Sequence, residues 1–321
     1  MPSDISARMT ISAMAGMTKK LYSNFDEELW DDYLADQEAL LPKLPDVEGL
    51  SPRVIRILGD NPGKFQLQGT NTYLVGAGRS RILIDTGQGM PIWASRIADV
   101  VRRQECEISH VLLTHWHGDH TGGVADLVRL YPHLGCGGGQ RPIEDGQVFR
   151  ASGVTVRAVY TPGHAIDHMC FVLEEEGAIF TGDNVLGHGF TVVEDLSSYM
   201  ESLKIMESQG CRLGYPAHGI VCGNIQAKLK EYKEQQLGRE RRVIQALKDC
   251  RDRQQSIGKP GKVSMSVVEL ARAIYGNIPE HVLKSAFAPM LNEMLMKLAA
   301  DRKVAFELNC GERRWFAGPR S

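Results

Sequence analysis

Three histidines and an aspartate occur within six consecutive residues, and any of them could bind a metal ion: His115, His117, Asp119 and His120. They directly follow the apolar run Ile108–Leu113 and Thr114. Imidazole nitrogens and carboxylate oxygens are the ligands that first-row transition metals prefer in proteins. Gly118 allows the segment to fold back tightly. The pattern therefore predicts a metal-binding loop at the end of a strand.

Three further residues of ligand type each follow a predicted strand and lie beside a glycine: His164, Asp183 and His218. The first two strands are predicted over Val154–Tyr160 and Ala178–Phe180, and the third is a short one near Leu213. A glycine has no Cβ, so it permits a close approach of the backbone to an ion. The repeated context indicates that all of these residues serve one site.

This set of motifs resembles the metallo-β-lactamase superfamily over about residues 50–220. The resemblance implies that His115, His117 and His164 bind a first ion, that Asp119, His120 and His218 bind a second, and that Asp183 bridges them. It implies two divalent ions, with Zn²⁺ the first choice and Mn²⁺ the alternative, because both accept imidazole and carboxylate. Two such ions can activate a shared water and polarise the oxygen of the attacked group. Asp119 is also the predicted catalytic residue, because it can pass a proton to the leaving group.

Other polar residues near these motifs leave two interpretations open. Asp85, at the end of the predicted strand Arg81–Ile84, either forms a hydrogen bond to a ligand histidine or is a strand-end turn residue. His168, four residues beyond His164, either lines the pocket or is a buried structural histidine. The remaining histidines do not fit the pattern and are expected at surface or packing positions: His110, His133, His188 and His281.

Short β-rich runs, separated by glycine-containing turns and interspersed with helices, predict an α/β fold. Further strands are predicted at Val54–Leu58, Thr72–Val75, Arg81–Ile84 and Cys170–Leu173, and helices at Ile92–Gln104 and Asp195–Ser208. The expected architecture is the metallo-β-lactamase αββα sandwich. We expect residues 1–50 to form an N-terminal extension, residues 51–223 the metallo-β-lactamase domain, and residues 224–321 a long helix with a winged-helix-like domain.

Both terminal regions carry helical patterns. Asn24–Leu41 is predicted to be an amphipathic helix with a capping box, which could pack on the body, cover the active site or mediate a homodimer. After the long helix at Asn224–Gln255 comes a turn-rich hinge at residues 257–261. Two helices and a two-stranded wing then follow, at Val267–Tyr275, Val282–Ala300, Val304–Leu308 and Arg314–Phe316. That order is typical of a winged helix.

Composition limits the classes of function. The net charge of −2 does not favour a nucleic-acid or membrane-surface binder. Ile225–Ser321, however, holds 19 Lys and Arg against 11 Asp and Glu, a net charge of +8. Seven cysteines without a C-x-x-C pair favour free thiols in a reducing compartment. The absence of a long apolar run predicts a cytoplasmic protein without a membrane segment.

Several segments resemble particular branches of the superfamily. Gln68–Gly76 and Thr191–Leu196 are similar to the branch that contains animal lactamase-like protein 2. Ser51–Leu58 and Gly87–Trp93 are most similar to fungal thioesterases of the atrochrysone carboxyl type, which act on the acyl carrier protein of non-reducing polyketide synthases. The resemblance implies hydrolysis of an aryl polyketide thioester, in some relatives with Claisen cyclisation, and an acyl carrier protein domain as partner.

Two alternative functions remain open from the sequence. A metal-dependent endoribonuclease would use the same two ions on RNA. A non-catalytic winged-helix protein would bind nucleic acid, although the complete ligand set argues against that reading. A cationic set in the long helix fits either RNA phosphates or an acidic carrier protein: Arg239, Arg241, Arg242, Lys248, Arg251 and Arg253. No G-x-S-x-G motif supplies a nucleophilic serine.

Overall fold

A computed structural model describes residues 41–63, 65–135, 140–256, 263–276 and 279–318. The predicted N-terminal helix, apart from its last residue Leu41, and the hinge at residues 257–261 lie outside these ranges. The chain divides into two compact units at Glu231/Tyr232, within the long helix. The predicted domain boundaries stay a prediction. Among the described residues, no helix combines the length and hydropathy needed to cross a lipid bilayer.

Two β-sheets form the body of the unit that ends at Glu231. In the described part of the chain, the first sheet consists, in spatial order, of β1 (Val47–Ser51), β2 (Val54–Leu58), β3 (Asn71–Val75), β4 (Ser80–Ile84) and β5 (Glu107–Leu112). The second consists of β6 (Val148–Ala151), β7 (Val154–Tyr160), β8 (Met169–Leu173), β9 (Ala178–Gly182) and β10 (Leu213–Pro216). Neighbouring strands are antiparallel except at the pairs β4–β5 and β9–β10.

Helices of this unit connect the strands. They are α1 (Pro91–Arg103), α2 (Gly118–Thr121), α3 (Val124–Leu130) and α4 (Leu196–Ser208), with 3₁₀ turns at Pro132–Gly135 and Glu174–Glu176. Two neighbouring parallel strands need a crossover connection, because the chain must return to the end of the sheet at which the first strand begins. α1 supplies that crossover between β4 and β5, and α4 supplies it between β9 and β10.

The two faces of the first sheet are buried against different partners. On β4, Ile82 and Ile84 belong to the apolar cluster that contains Phe171 and Phe180 of the second sheet. Leu83 points to the other face and packs in a cluster with Trp93 of α1. This alternation follows from the two-residue period of a strand. The structure thus has the helix and sheet layers expected of the metallo-β-lactamase fold.

The unit that begins at Tyr232 is mainly helical. It contains most of α5 (Ile225–Ser256), followed by α6 (Val267–Tyr275), α7 (Glu280–Val282), a π-helical segment (Leu283–Phe287), α8 (Ala288–Ala300) and the hairpin strands β11 (Val304–Asn309) and β12 (Glu312–Ala317). Ser266 and Glu269 form a capping box at the start of α6. Trp315 of the hairpin is fully buried. The elements occur in the predicted order, and the winged-helix assignment itself stays a prediction.

Phe180 is expected to be a key contact between the sheets. Its ring centroid lies 5.1 Å from that of Tyr73 in the first sheet and 5.0 Å from that of Tyr215 in the second. Phe180→Ala should lower the free energy of unfolding by about 3–5 kcal/mol, because it leaves a cavity between the sheets. Denaturant unfolding measures the change. Val148→Ala, at an exposed position of the edge strand β6, is the control, and an equal loss in both variants would contradict this role.

Candidate metal centre

All seven predicted ligand residues lie in one cluster. Their segments follow four strands: His115–His120 follows β5, and His164, Asp183 and His218 follow β7, β9 and β10. The structure groups them into three sets whose potential ligand atoms lie within 4.8 Å of one another: His115, His117 and His164; His115, His120 and Asp183; Asp119, His120 and His218. Both sheets therefore contribute to the same site.

The first set presents three imidazole nitrogens at close range. His115 Nε2 lies 2.9 Å from His117 Nδ1, and His164 Nε2 lies 3.2 and 3.1 Å from these two atoms. Nitrogens bound to one tetrahedral ion at about 2.0–2.1 Å would be separated by roughly 3.3 Å. His164 Nδ1 donates to the carbonyl oxygen of Val192 at 2.8 Å, so its Nε2 carries a lone pair toward the other two rings. The spacing fits a metal ion.

The third set, Asp119, His120 and His218, joins two imidazoles and a carboxylate. Asp119 Oδ2 lies 3.3 Å from His218 Nε2 and 3.5 Å from His120 Nε2. Asp183 lies between the first and third sets. Its Oδ1 is 3.5 Å from His120 Nε2 and 3.3 Å from His218 Nε2, whereas its Oδ2 is 3.5 Å from His164 Nε2. One carboxylate oxygen thus faces each set, as a bridging ligand requires.

Unpaired polar atoms at the centre of the cluster also fit bound cations. His120 Nε2 and Asp183 Oδ1 are buried and form no hydrogen bond among the described residues. A buried polar atom without a partner is costly. A divalent ion would satisfy both atoms, and the mixture of imidazole and carboxylate suits such an ion. The cluster therefore indicates divalent metal binding.

The electrostatics of the cluster show how strongly it attracts positive charge. Burial alone would lower the pKa of His218, but the carboxylates of Asp183 and Asp119 raise it to about 9. Burial would likewise lower the pKa of His120, and the nearby carboxylates of Asp183 and Asp85 raise it well above its ordinary value. A metal ion competes with the proton for the same nitrogen. The carboxylates thus provide a favourable potential for either cation.

Asp85 supports His120 from outside the cluster. Its Oδ2 accepts a hydrogen bond from His120 Nδ1 at 2.9 Å, and its Oδ1 accepts one from the Thr114 amide at 2.8 Å. Asp85 also has a φ of +58° at the end of β4. The interpretation of Asp85 as a hydrogen-bond partner of His120 is confirmed, and the left-handed backbone after β4 brings the carboxylate to the histidine. The bond leaves His120 Nε2 free to bind an ion.

His168 is a structural residue. It has no exposed surface, so the pocket-lining interpretation is wrong and the structural one is confirmed. Its Nε2 accepts the amide hydrogen of Asp183 at 3.1 Å, and its Nδ1 therefore donates to Thr161 Oγ1 at 3.0 Å. Burial, reinforced by His164, holds the pKa of His168 well below its ordinary value. The neutral ring fixes the backbone of Asp183.

The remaining histidines lie outside the three groups described above. His110, His133 and His281 are exposed, and His188 is half-buried, as the sequence predicted. The sequence patterns did not predict a role for Thr70, whose Oγ1 lies 3.4 Å from Asp119 Oδ2. Thr70 belongs to the segment Gln68–Gly76, which resembles a branch of the superfamily. Its polar side chain just before a buried strand is the one local feature that points to a role.

The family comparisons agree with this geometry. Residues 66–139 and 133–218 match the description of the metallo-β-lactamase superfamily. An atrochrysone carboxyl ACP thioesterase of Aspergillus chevalieri is 56% identical over 307 residues, which cover 94% of this chain and 98% of that protein. The chain belongs to the metallo-β-lactamase superfamily. The relatives from Aspergillus chevalieri and Aspergillus terreus are named thioesterases, which are hydrolases, and the His and Asp cluster of this chain indicates divalent metal binding.

Two further comparisons concern a second curated relative and a solved structure. A lactamase-like protein nscB of Neosartorya fischeri is 55% identical over 304 residues, which cover 91% of this chain and 93% of that protein. The crystal structure of a β-lactamase domain protein from Burkholderia ambifaria has a TM-score of 0.67 at 17% identity, covering 86% of this chain and 95% of that one. The second likeness shows the fold alone.

Gly163 holds the His164 loop against α4 and is expected to tolerate no side chain. Its φ is +133°, and a Cβ at this position would lie 2.4 Å from the Tyr199 Cα. Gly163→Ala should displace His164 and reduce the bound metal, which elemental analysis of folded protein measures. Gly177→Ala is the matched control, because its φ of +54° carries strain but nothing lies within 4 Å. Equal metal content in both variants would show that this contact does not position His164.

Proposed function

We propose that the chain is a metal-dependent thioesterase that hydrolyses an aryl polyketide thioester on the acyl carrier protein domain of a non-reducing polyketide synthase. The observation that carries the proposal is the complete His and Asp cluster in a chain 56% identical to an atrochrysone carboxyl ACP thioesterase over nearly its full length. Claisen cyclisation coupled to release, a homodimer and a cytoplasmic location stay predictions from the sequence.

We assign the metal ligands as the sequence implied. His115, His117 and His164 would hold a first ion, Asp119, His120 and His218 a second, and Asp183 would bridge them. Zn²⁺ is our first choice, because imidazole nitrogens dominate the set, and Mn²⁺ is the alternative. Two bound ions would supply activation of water and polarisation of the thioester carbonyl.

Asp119 is the proposed catalytic residue of the chain. In the reaction, water adds its oxygen to the acyl carbon, the carbon–sulfur bond breaks, and the pantetheine sulfur takes a proton. The Asp119 side chain retains 14% exposure, so it can reach both the buried cluster and a bound substrate. Burial would raise the pKa of Asp119, but the nearby imidazoles of His120 and His218 hold it well below its ordinary value. Its carboxylate is thus available to accept and return a proton.

Exposed apolar side chains on the ligand-bearing loops support an aryl substrate. Trp116 lies between two ligand residues and is 59% exposed, and Ile166 follows His164 by two residues and is 77% exposed. Val192 is 57% exposed and belongs to the same site, because its carbonyl oxygen accepts from His164 Nδ1. Contiguous exposed apolar groups mark a binding surface. A flat aromatic acyl group would bury them, whereas an RNA phosphodiester would not.

The ribonuclease alternative rests on the basic segment of α5. Arg241 is exposed and Arg242 half-buried, and the segment fits RNA phosphates as well as an acidic protein. We favour the carrier protein, because the apolar loops beside the cluster do not suit a polyanion. The alternative of a non-catalytic winged-helix protein assigns no function to the buried His and Asp cluster.

The first test of this proposal combines metal content with Asp119. Elemental analysis of gently purified protein should give about two transition-metal ions per chain, and a chelator should abolish thioester hydrolysis. Asp119→Ala should lower kcat by about 100-fold or more, because it removes both a ligand and a proton carrier. Asp99→Ala, on the exposed face of α1, should keep the wild-type kcat. Full activity without metal, or in Asp119→Ala, would refute the assignment.

The second test separates a carrier-bound thioester from RNA. Wild-type protein should release product from an acyl-loaded carrier domain and leave single-stranded RNA intact at the same enzyme concentration. Reversing the charge of Arg241 and Arg242 to Glu should raise KM for the carrier substrate but not for a small thioester, which has no protein surface to meet these residues. Efficient RNA cleavage with no action on the acyl carrier would replace the thioesterase by the ribonuclease.

A control for charge reversal uses exposed arginines of the other unit. Arg79 and Arg103 have side chains that are 82% and 72% exposed. Changing both to Glu alters the net charge by the same amount as changing Arg241 and Arg242. If the two double variants raise KM for the carrier equally, total charge rather than this part of α5 attracts the carrier.

A further inference from the structure

Thr70 contacts the proposed catalytic carboxylate from outside the metal-ligand set. Its Oγ1 lies 3.4 Å from Asp119 Oδ2, the same oxygen that faces His120 and His218. Thr70 has no exposed surface, and it pairs with His218 through an isolated antiparallel bridge. We propose that Thr70, itself oriented by Asn61, is a positioning residue that fixes how Asp119 enters the metal site. This inference rests on the proposed function.

The direction of the Thr70 hydrogen bond follows from Asn61. Asn61 Oδ1 accepts the Thr70 amide hydrogen at 2.8 Å. A backbone amide can only donate, so the oxygen of the Asn61 side chain must face it. The Asn61 Nδ2 group is then the one that donates to Thr70 Oγ1 at 3.0 Å. Because this bond occupies a lone pair of the hydroxyl oxygen, the hydroxyl hydrogen is left to point at Asp119.

The positions of both residues are fixed by further hydrogen bonds. The Thr70 carbonyl oxygen accepts the Gly59 amide hydrogen at 2.7 Å, and Asn61 Nδ2 also donates to Gln88 Oε1 at 3.2 Å. Asn61 retains 8% exposure. A hydroxyl held in this way can orient a neighbouring carboxylate, because it cannot move to follow it.

The contact with Thr70 gives the two carboxylate oxygens of Asp119 different roles. Oδ2 makes the contacts of this carboxylate to Thr70, His120 and His218. A carboxylate held through one oxygen presents the other to its surroundings, and the Asp119 side chain retains part of its exposure. Thr70 therefore assigns Oδ2 to the second ion and Oδ1 to the proton that the departing sulfur receives.

The decisive variant is Thr70→Val, which removes the hydroxyl group and keeps the branched shape of the side chain. We expect kcat for a small thioester to fall about 10–100-fold at an unchanged KM, and the affinity for the second ion to fall by a similar factor, as for other groups that orient a ligand. A competing chelator titrated against Zn²⁺-loaded protein measures the affinity without any turnover. Thr70→Ser should restore both values, because it returns the hydroxyl.

Thr72→Val is the matched control. Thr72 is also fully buried, and its Oγ1 accepts from Trp93 Nε1 at 2.9 Å and donates to the Ile57 carbonyl at 2.8 Å, away from the cluster. Its loss should lower thermal stability but leave kcat and the second-ion affinity within about twofold of the wild type. If Thr70→Val does not fold, Thr70→Ala serves in its place.

The outcomes separate this inference from the proposed function. Thr70→Val with wild-type kcat and metal affinity would overturn the inference, as would equal losses in Thr72→Val or a folded Thr70→Ser that recovers neither value. If the wild-type protein binds two ions but hydrolyses no thioester, the proposed function fails. The chelator titration would still test Thr70, because it depends on Asp119 as a ligand and not on the substrate.

Discussion

The structure depends on one electrostatic constraint. Potential ligand atoms that repel one another are held close together in the buried His and Asp cluster. Three imidazole nitrogens lie within 3.2 Å of one another, and imidazole nitrogens that face each other with lone pairs gain nothing from this approach. Two carboxylates lie in the same cluster. Removing charge from water is costly unless it is compensated. Bound cations compensate it, and the rest of the fold must hold the ligands until they bind.

The two-sheet sandwich meets this requirement by dividing the proposed ligands between its halves. The loop after β5 carries four of them, and the second sheet carries His164, Asp183 and His218. The contact of Tyr73 with Phe180 and Tyr215 therefore sets the distance between the two groups. Within each half, neutral or charged partners fix individual ligands, as Asp85 does for His120 and His168 does for the backbone of Asp183. We therefore expect the packing of the core to influence metal affinity.

Much of this could be predicted from the sequence, because strand periodicity and ligand spacing are local patterns. The bounds of β2 and β7 agree with the prediction, and the ligand residues meet as expected. β1 and β6 were not predicted, since each is short and half-exposed and shows little hydrophobic alternation. Thr70 and Asn61 were missed for another reason. The contact of Thr70 with Asp119 joins residues nearly fifty positions apart, and Asn61 acts only through Thr70, so no local pattern encodes either role.

The metal cluster cannot by itself determine the substrate, because the same ions polarise a carbonyl or a phosphoryl oxygen. Selectivity must come from surfaces that surround it. Burying an apolar surface is favourable in proportion to its area, so exposed side chains such as Trp116 and Ile166 favour a ligand with a large apolar face. A small acyl group would leave most of that surface in water. The buried centre therefore fits hydrolysis, and the exposed loops are the part of the protein that would favour the proposed aromatic acyl chain.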